Sequence, residues 1–208
     1  MAGRREERER LVDRLAQRRE LSAATERAMR AVPRHEFLPS DKRGAAYDDT
    51  PLPIGEGQTI SAPHMVAIMT DLLDAGDGDR VLEVGTGCGY HAAVTAEVVG
   101  ADNVYSVEYH ESLARRARAT LAETGYGAVS VRAGDGREGW PEHAPYDRAY
   151  LTCAAPDLPS GVVEQVRPGG RVLAPVGDRR QRLVAARKRA DGGLDRESHG
   201  GVRFVPLQ

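Results

Sequence analysis

A glycine-rich turn is the first candidate site. In the segment VLEVGTGCGY, an apolar run leads directly into Gly85-Thr86-Gly87-Cys88-Gly89, and apolar residues at helical spacing follow. Glycines at the first strand-to-helix turn let the backbone approach a cofactor at the carboxyl end of a parallel sheet. The spacing differs from the G-x-G-x-x-G of dinucleotide-binding turns, and the absence of G-K-[ST] excludes a Walker phosphate loop. The turn therefore predicts a cofactor site, with a ligand-free tight turn as the alternative.

Acidic residues stand near the ends of three successive predicted strands. Glu83 precedes the glycine turn, Glu108 ends the second strand, and Asp135-Gly136 follows the third. Glu108 lies about 20 residues beyond the turn, the spacing at which an acid meets ribose hydroxyls. Asp135 would accept from an adenine amine, although an isolated Asp-Gly pair is also a common turn. Because S-adenosylmethionine carries sulfonium and ammonium charges but no phosphate, the three acids together favour an adenosyl cofactor of this kind.

The segment after the fourth predicted strand indicates which kind of chemical group would accept a methyl group. Enzymes that methylate amide or base amines commonly place an Asn/Asp-Pro-Pro-aromatic motif there, whereas this chain has Leu151-Thr152-Cys153-Ala154-Ala155-Pro156. Small residues without such a polar group suit a peptide backbone or a carboxylate. A carboxylate with a pKa of about 4 is already ionised at neutral pH. Such an acceptor needs positioning rather than a general base.

The elements that must position these residues alternate beyond residue 79. The pattern predicts strands at 80–84, 103–108, 129–133 and 147–153, and helices at 90–99, 112–124 and 158–166. This order predicts an α/β fold, a doubly wound Rossmann-like, mostly parallel sheet with helices on both faces. Three further strands, at 171–175, 183–189 and 202–207, have no helix between them. The last two are expected to pair antiparallel across ADGGLDRESHGG as a C-terminal hairpin.

The first 78 residues differ from this core. Residues 3–32 are charged, with apolar positions at helical spacing, and predict one or two amphipathic helices that end at Pro33. The many charged residues of this segment are better explained as the solvent-exposed side of the helices than as an arm that binds a partner. Residues 33–64 hold five prolines and predict an irregular, functional segment laid over the core. A helix is predicted from 63 or 64 to 73, with Ser61 or Ala62 near its N-cap. Its predicted apolar face consists of Met65, Ile68, Met69 and Leu72.

Composition narrows the class of protein. The 208 residues predict a single domain over 1–208, with N-terminal helices and a lid segment at 1–78 and a cofactor-binding core at 79–208. A net charge of -2, from 29 basic and 31 acidic residues, provides no overall basic field for nucleic acid or anionic membranes. The chain has two cysteines, no apolar leader and no run of roughly 18 to 20 apolar residues. These features predict a cytoplasmic protein. The histidine and cysteine spacing matches no zinc site, so no metal is expected.

The longer motifs together resemble a known family. In chain order they are PRHEFLP, AYDDTPLPIGEGQTISAPHM, VLEVGTGCGYHAA, VYSVE, GDGREGWPEHAPYDRAY, CAAPDLP, VRPGGRVLAPVG and VRFVPL. From about residue 30 to the end, they resemble the protein-L-isoaspartate O-methyltransferases. Glycine turns are shared by methyltransferases in general, whereas the G-x-T-I-S-x-P-H block and the AYDD-PLPIG run before it are typical of this family.

The resemblance implies an enzyme that repairs proteins damaged by Asn deamidation and Asp isomerisation. Such an enzyme transfers a methyl group from S-adenosyl-L-methionine, leaving S-adenosyl-L-homocysteine, to the abnormal side-chain carboxylate of L-isoaspartyl residues in proteins and peptides. The ester then cyclises to a succinimide without further enzyme action, and hydrolysis returns part of the material to normal Asp. The resemblance also implies a monomer, with no nucleic-acid or membrane partner.

Residue roles follow from the same resemblance, position by position. Ser61 matches the active-site serine, whose hydroxyl would hold the incoming carboxylate near the methyl group; from the residues alone, an N-cap explains it better. The residues implied to bind the cofactor are Gln58, Thr59, Ile60, Glu83, Gly85, Thr86, Gly87, Glu108, Tyr109, Asp135 and Gly136. Those implied to bind the substrate are Ile54, Ser61, Ala62, Ala154, Ala155 and Pro156.

Other functions stay open at this point. A relative with the same fold could methylate a different carboxylate, since nothing in the residues excludes it. A non-catalytic nucleotide-binding module would be expected to lack the acidic strand ends or Ser61, and all are present. A nucleic-acid methyltransferase is disfavoured by the near-neutral net charge and the missing amine-binding motif. Gln208 ends the chain where some relatives continue, so either Gln208 or no residue closes that edge of the cofactor site.

Overall fold

Two amphipathic helices begin the chain in the computed structural model, which describes residues 2–208. Helix α1 spans Ala2–Arg18 and α2 spans Ala23–Ala31, as predicted. The hydroxyls of Ser22 and Thr25 donate to the Asp71 carboxylate at 2.7 and 2.5 Å. These bonds attach the start of α2 to the helix that carries Asp71. The apolar side chains that the two helices bury are Leu11, Val12, Leu15, Ala28 and Met29.

The segment from 33 to 64 is more regular than predicted. Two 3₁₀ turns, Arg34–Phe37 and Ser40–Ala45, precede an antiparallel hairpin of β1 (Leu52–Gly55) and β2 (Gln58–Ile60). The prediction of an irregular segment was wrong here because prolines are tolerated in a two-stranded hairpin, where each strand has a free edge. The tight turn between the strands has positive φ at three successive residues, 55–57.

Helix α3 spans Pro63–Leu73 and is capped at Ala62, with no side-chain cap bond. Ser61 is therefore not the N-cap. The predicted apolar face was also partly wrong, since Met65, Ile68 and Leu72 are only partly buried. Both faces of this helix are apolar, so periodicity could not identify the inner one. The residues that it buries are Pro63, Val66, Ala67, Met69, Thr70 and Leu73.

The core of the protein is a seven-stranded sheet in the order β5-β4-β3-β6-β7-β8-β9. Strands β3 to β7 pair in parallel, and β8 and β9 are antiparallel. The predicted α/β, mostly parallel sheet is thus confirmed. The strands are β3 (Val81–Val84), β4 (Val104–Glu108), β5 (Ser130–Ala133), β6 (Tyr146–Leu151), β7 (Val166–Val176), β8 (Gln181–Lys188) and β9 (Leu194–Val202). The helices are α4 (Tyr90–Val99), α5 (Glu111–Glu123) and α6 (Ser160–Gln165).

The C-terminal strands differ from the prediction. The hairpin partner of β8 is β9 at 194–202, so the segment LDRESHGG is a strand rather than part of the turn. It was missed because an edge strand rich in charged residues lacks the alternating apolar pattern. The predicted strand at 202–207 was wrong; this terminal segment instead runs beside Ala154. The Ala154 amide donates to the Val205 carbonyl, and the Leu207 amide donates to the Ala154 carbonyl, both at 2.8 Å.

Among the described residues, no helix combines the length and the apolar character that crossing a membrane requires.

Candidate active site

A cleft at the carboxyl ends of β3 and β4 collects most of the residues expected to bind a cofactor. The hairpin contributes one wall, the glycine turn the floor, and the terminal segment another wall. Tyr109 lies at the cleft, and its large side chain is 54% exposed. The expected cofactor residues that line the cleft are Gln58, Thr59, Ile60, Gly85, Thr86, Gly87, Glu108, Tyr109 and Gly136.

The glycines keep the floor of this cleft free of side chains. Gly85 has a φ of +95°, a conformation that favours glycine, and a Cβ there would overlap Thr152 Oγ1. A Cβ at Gly136 would overlap Val84 Cγ1. At these two positions the backbone can therefore form the cleft surface only because no side chain is present.

The Glu108 carboxylate is held at the edge of the cleft by two backbone amides. Gly87 N–H donates to Oε2 at 2.7 Å, and His110 N–H donates to Oε1 at 2.9 Å. A carboxylate has about four acceptor sites, so both oxygens can still accept from hydroxyls of a ligand. The glycine turn and the acid are thus one rigid unit.

The charges of the cleft indicate which ligand it suits. Its described lining contains one carboxylate, that of Glu108, and no lysine or arginine. Such a wall attracts a cation and offers no opposite charge to a phosphate. The residues present therefore fit a ligand with hydroxyls and positive charge but no phosphate, as S-adenosylmethionine is.

Glu83 lies beneath the cleft and is absent from its described lining. The side chain is fully buried and accepts hydrogen bonds from Ser106 Oγ and Tyr150 Oη. Ser106 also bonds Thr86 Oγ1, so Glu83 supports the glycine turn through a chain of hydroxyls. Burial raises the pKa of Glu83 to about 8. Its direct contact with a cofactor stays a prediction, since the Glu83 carboxylate lies below the described lining of the cleft.

Asp135 is also outside the described lining of the cleft, and of the Asp135-Gly136 pair only the glycine lines it. Asp135 Oδ1 accepts from Arg137 N–H at 2.9 Å, and Oδ2 accepts from Arg137 Nη2 at 2.7 Å. The guanidinium holds the pKa of Asp135 below its ordinary value. The carboxylate caps a 3₁₀ turn, which corresponds to the turn alternative raised from the sequence. The expected adenine contact by Asp135 stays a prediction.

The residues expected to bind substrate divide into two groups. Ser61 lines the cofactor cleft and also a second, neighbouring cleft, and Ala62 lines the second one. Ile54, Ala154 and Ala155 are buried, and these three and Pro156 are absent from the described lining of both clefts.

The four residues outside both clefts support the walls from behind, and their expected substrate contacts stay predictions. Ile54 packs on the glycine turn, where a Cβ at Gly87 would lie 3.2 Å from Ile54 Cδ1. The backbone of Ala154 pairs with the terminal segment, and the Ala155 amide donates to the Pro175 carbonyl at 3.1 Å. Pro156 is exposed beyond this pairing. Small residues here allow this close backbone approach.

The terminal segment is the main part of the cleft that the sequence did not indicate. Val205, Pro206, Leu207 and Gln208 all line it, so Gln208 does lie at that edge. Gln181 fixes the segment, because its amide donates to the Phe204 carbonyl at 3.1 Å and accepts from the Phe204 N–H at 2.6 Å. Backbone pairing of this kind leaves no periodicity in a sequence. The other lining residues missed are Val66, Val84, Cys88, Tyr90, His91, Val107, His110, Thr152 and Cys153.

Side chains of α5 and its N-terminal loop hold the hairpin over the glycine turn. Arg116 Nη2 donates to the Ile54 carbonyl at 3.2 Å, and Ser112 Oγ donates to Glu56 Oε1 at 2.6 Å. Gln58 Nε2 lies 3.4 Å from His110 Nε2. The hairpin is thereby attached to the same loop that presents Glu108.

A buried guanidinium fixes the backbone at Ser61. Arg34 is fully buried and donates to the carbonyls of Ala46, Thr50 and Ser61, the last two at 3.1 Å. Its guanidinium also lies 5.8 Å from the Tyr90 ring centre. No described carboxylate forms an ion pair with it, and burial lowers the pKa of Arg34. The three carbonyls compensate the buried charge and bind the segment that leads to Ser61.

Known proteins share this arrangement over nearly the whole chain. The family model for protein-L-isoaspartate(D-aspartate) O-methyltransferase matches residues 6–208. Protein-L-isoaspartate O-methyltransferase 2 of Archaeoglobus fulgidus is 56% identical over 204 residues, with 98% of this chain and 93% of that protein covered. The protein-L-isoaspartate O-methyltransferase of Methanopyrus kandleri is 55% identical, with 96% and 90% covered.

Solved structures agree with the fold. One protein-L-isoaspartate O-methyltransferase is 32% identical with a TM-score of 0.89, and the match covers 97% of this chain and 66% of that one. A Plasmodium falciparum structure in complex with S-adenosyl-L-homocysteine has a TM-score of 0.83 at 22% identity. That match covers 97% of this chain and 98% of the other, and shows that the fold is shared.

We predict that Glu83→Gln alters how stability depends on pH. Folding raises the pKa of Glu83 from an ordinary 4.5 to about 8, so its contribution is complete below 4.5 and is lost as pH rises through 8. Between about pH 5 and pH 8, the unfolding free energy of the wild type should fall relative to the variant by ~2–4 kcal/mol in urea titrations. Glu123→Gln, at an exposed position, is the control. A constant difference between wild type and Glu83→Gln would contradict the protonated state.

Arg34→Met is predicted to destabilise the protein because three carbonyls lose their donor in a buried place. The expected loss of unfolding free energy is ~2–4 kcal/mol in urea titrations. The matched control is Arg27→Met, an exposed arginine of α2, which should change stability by less than ~0.5 kcal/mol. Equal effects of the two substitutions would rule out the anchoring role of Arg34.

Proposed function

The chain belongs to the protein-L-isoaspartate(D-aspartate) O-methyltransferase family, and we propose that it methylates the side-chain carboxylate of L-isoaspartyl residues in damaged proteins and peptides. The cofactor is S-adenosyl-L-methionine, with S-adenosyl-L-homocysteine as product. The methyl ester starts repair through a succinimide. The observation that carries the proposal is the position of Ser61, which lines both the cofactor cleft and the second cleft.

The cofactor cleft supplies the binding groups for this reaction. Backbone at Gly85, Gly87 and Gly136 forms the surface, and Glu108 offers acceptors to hydroxyls. Residues 58–60 of the hairpin cover the opposite side. When bound, S-adenosyl-L-methionine supplies a methyl group on a sulfonium, and a carboxylate oxygen takes this group as the carbon–sulfur bond breaks with its electron pair left on sulfur.

Ser61 is proposed to orient the accepting carboxylate. A peptide carboxylate that enters the second cleft meets the Ser61 hydroxyl where the two clefts join, and the hydroxyl donates to one of its oxygens. An ionised carboxylate needs no general base, so orientation is the main contribution available to the protein. Thr152 at the same junction already donates to the Gly85 carbonyl, so the hydroxyls still available there are those of Ser61 and Thr59.

We further propose that the chain works as a single-domain cytoplasmic monomer with protein and peptide substrates, and without nucleic-acid or membrane partners. Both cysteines are free, and burial raises the pKa of Cys88 to about 11 and that of Cys153 to about 12, which makes these thiols unreactive. One cluster of buried side chains contains residues of α1, α2 and the sheet core, which supports treating 1–78 and 79–208 as one domain.

The function is tested with two peptides that differ only in isoaspartyl or normal aspartyl linkage. Wild-type protein should transfer base-labile label from S-adenosylmethionine to the isoaspartyl peptide alone. Ser61→Ala should lower kcat/KM by about 10- to 100-fold, the loss of one hydrogen bond to a charged group. Calorimetry should show an affinity for S-adenosylhomocysteine within about 3-fold of the wild type.

Ser160→Ala, an exposed serine at the start of α6, is the matched control and should behave as wild type. Equal transfer to both peptides would contradict specificity for isoaspartyl residues. Cofactor binding with transfer to neither peptide would mean that the acceptor is a different carboxylate. Parallel loss of turnover and cofactor affinity in Ser61→Ala would remove its orienting role.

A further inference from the structure

The second cleft extends away from the first, and four arginines are among the residues that line it. Its volume is about 760 Å³, and it shares Thr59, Ser61, Thr152 and Val205 with the cofactor cleft. From this junction it reaches residues 179–182, before and at the start of β8, and residues 201–205. Anything that presents a carboxylate to Ser61 from this side must place its neighbouring atoms along that wall.

The charge of this wall is one-sided. Arg179, Arg180, Arg182 and Arg203 line it and are exposed, and its described lining contains no aspartate or glutamate. None of the four forms an ion pair with a described carboxylate. Only Arg182 has a side-chain partner, since its Nε donates to Ser198 Oγ at 2.6 Å. In a chain with a net charge of -2, this is a local concentration of unneutralised positive charge.

The backbone at two of these arginines is fixed. Arg182 lies opposite Gly201 in the antiparallel pairing of β8 and β9. Arg203 stands next to Phe204, whose N–H and carbonyl both bond the Gln181 amide. Arg182 thus sits on an anchored strand and Arg203 on the bonded terminal segment, whereas Arg179 and Arg180 lie in the turn between β7 and β8.

We propose that this cleft binds the peptide that flanks the isoaspartyl residue and selects substrates with Asp or Glu close to it. The inference rests on the proposed function, because Ser61 then fixes the isoaspartyl carboxylate at the junction. Since an extended peptide rises about 3.3 Å per residue, only a few flanking residues fit along the wall. Carboxylates among them approach four unpaired cations, whereas lysines are repelled.

The test uses three isoaspartyl peptides with Glu, Gln or Lys at the two positions on either side. At low salt the KM of the Glu peptide should be about 10-fold below that of the Lys peptide, with little change in kcat, and about 0.5 M salt should reduce the difference. The variant that combines Arg179→Gln, Arg180→Gln, Arg182→Gln and Arg203→Gln should lose this preference. Arg187→Gln, an exposed arginine of β8 outside the cleft, should keep it.

Equal KM values for the Glu and Lys peptides, or a preference that survives in the fourfold variant, would overturn the inference. The Gln peptide tests the proposed function separately from the charge preference. Methylation of this peptide by both the wild type and the fourfold variant supports the activity whatever the charge preference is. Fluorescence anisotropy of the labelled Glu and Lys peptides with S-adenosylhomocysteine present gives the same comparison without turnover. A labelled single-stranded RNA that binds more tightly than the Glu peptide would also overturn it, in favour of a nucleic-acid partner.

Discussion

The position of the candidate active site depends on one buried cation. The Arg34 guanidinium gathers three carbonyls, those of Ala46, Thr50 and Ser61, from a stretch of chain with little regular structure. A buried charge without an ion-pair partner is costly unless it has hydrogen-bond acceptors, and here three carbonyls offset that cost while Arg34 Nε has no partner. Arg34 is 27 residues before Ser61, and it fixes the backbone there without a carboxylate that would compete for a substrate. The fixed backbone at Ser61 lies between the hairpin and α3.

Glu83 and Glu108 lie on adjacent strands, and the register of these strands gives the two acids different roles. Glu83 of β3 lies opposite Ser106 of β4, inside the sheet, where burial favours its protonated form. Val84 pairs with Val107, so Glu108 extends one residue beyond the last pair of these strands. That single step places Glu108 at the open edge, where amides of the glycine turn and the next loop hold it. The buried acid supports the turn and the edge acid faces the cleft.

The sequence predicted the parts of this protein that depend on local pattern. Strands β3 and β4, helices α4 and α5 and the glycine turn have clear periodicity or composition, and their predicted bounds agree with the structure to within about two residues. Parts that lack an alternating apolar pattern were missed: the proline-containing hairpin at 52–60, the charged edge strand β9 and the terminal segment beside Ala154. Asp135 shows the same limit, since a nearby arginine engages its carboxylate and no spacing rule indicates that partner.

The two clefts present opposite charges on the two sides of Ser61. The cofactor cleft has a carboxylate and no cation in its described lining, and the second cleft has four arginines and no carboxylate in its own. A methyl donor with a sulfonium is cationic and an isoaspartyl acceptor is anionic, so each finds the favourable field on its own side. The two ligands must meet at the shared residues Thr59, Ser61, Thr152 and Val205. Under the proposed function, each ligand is therefore favoured in its own cleft, and the two meet at that junction.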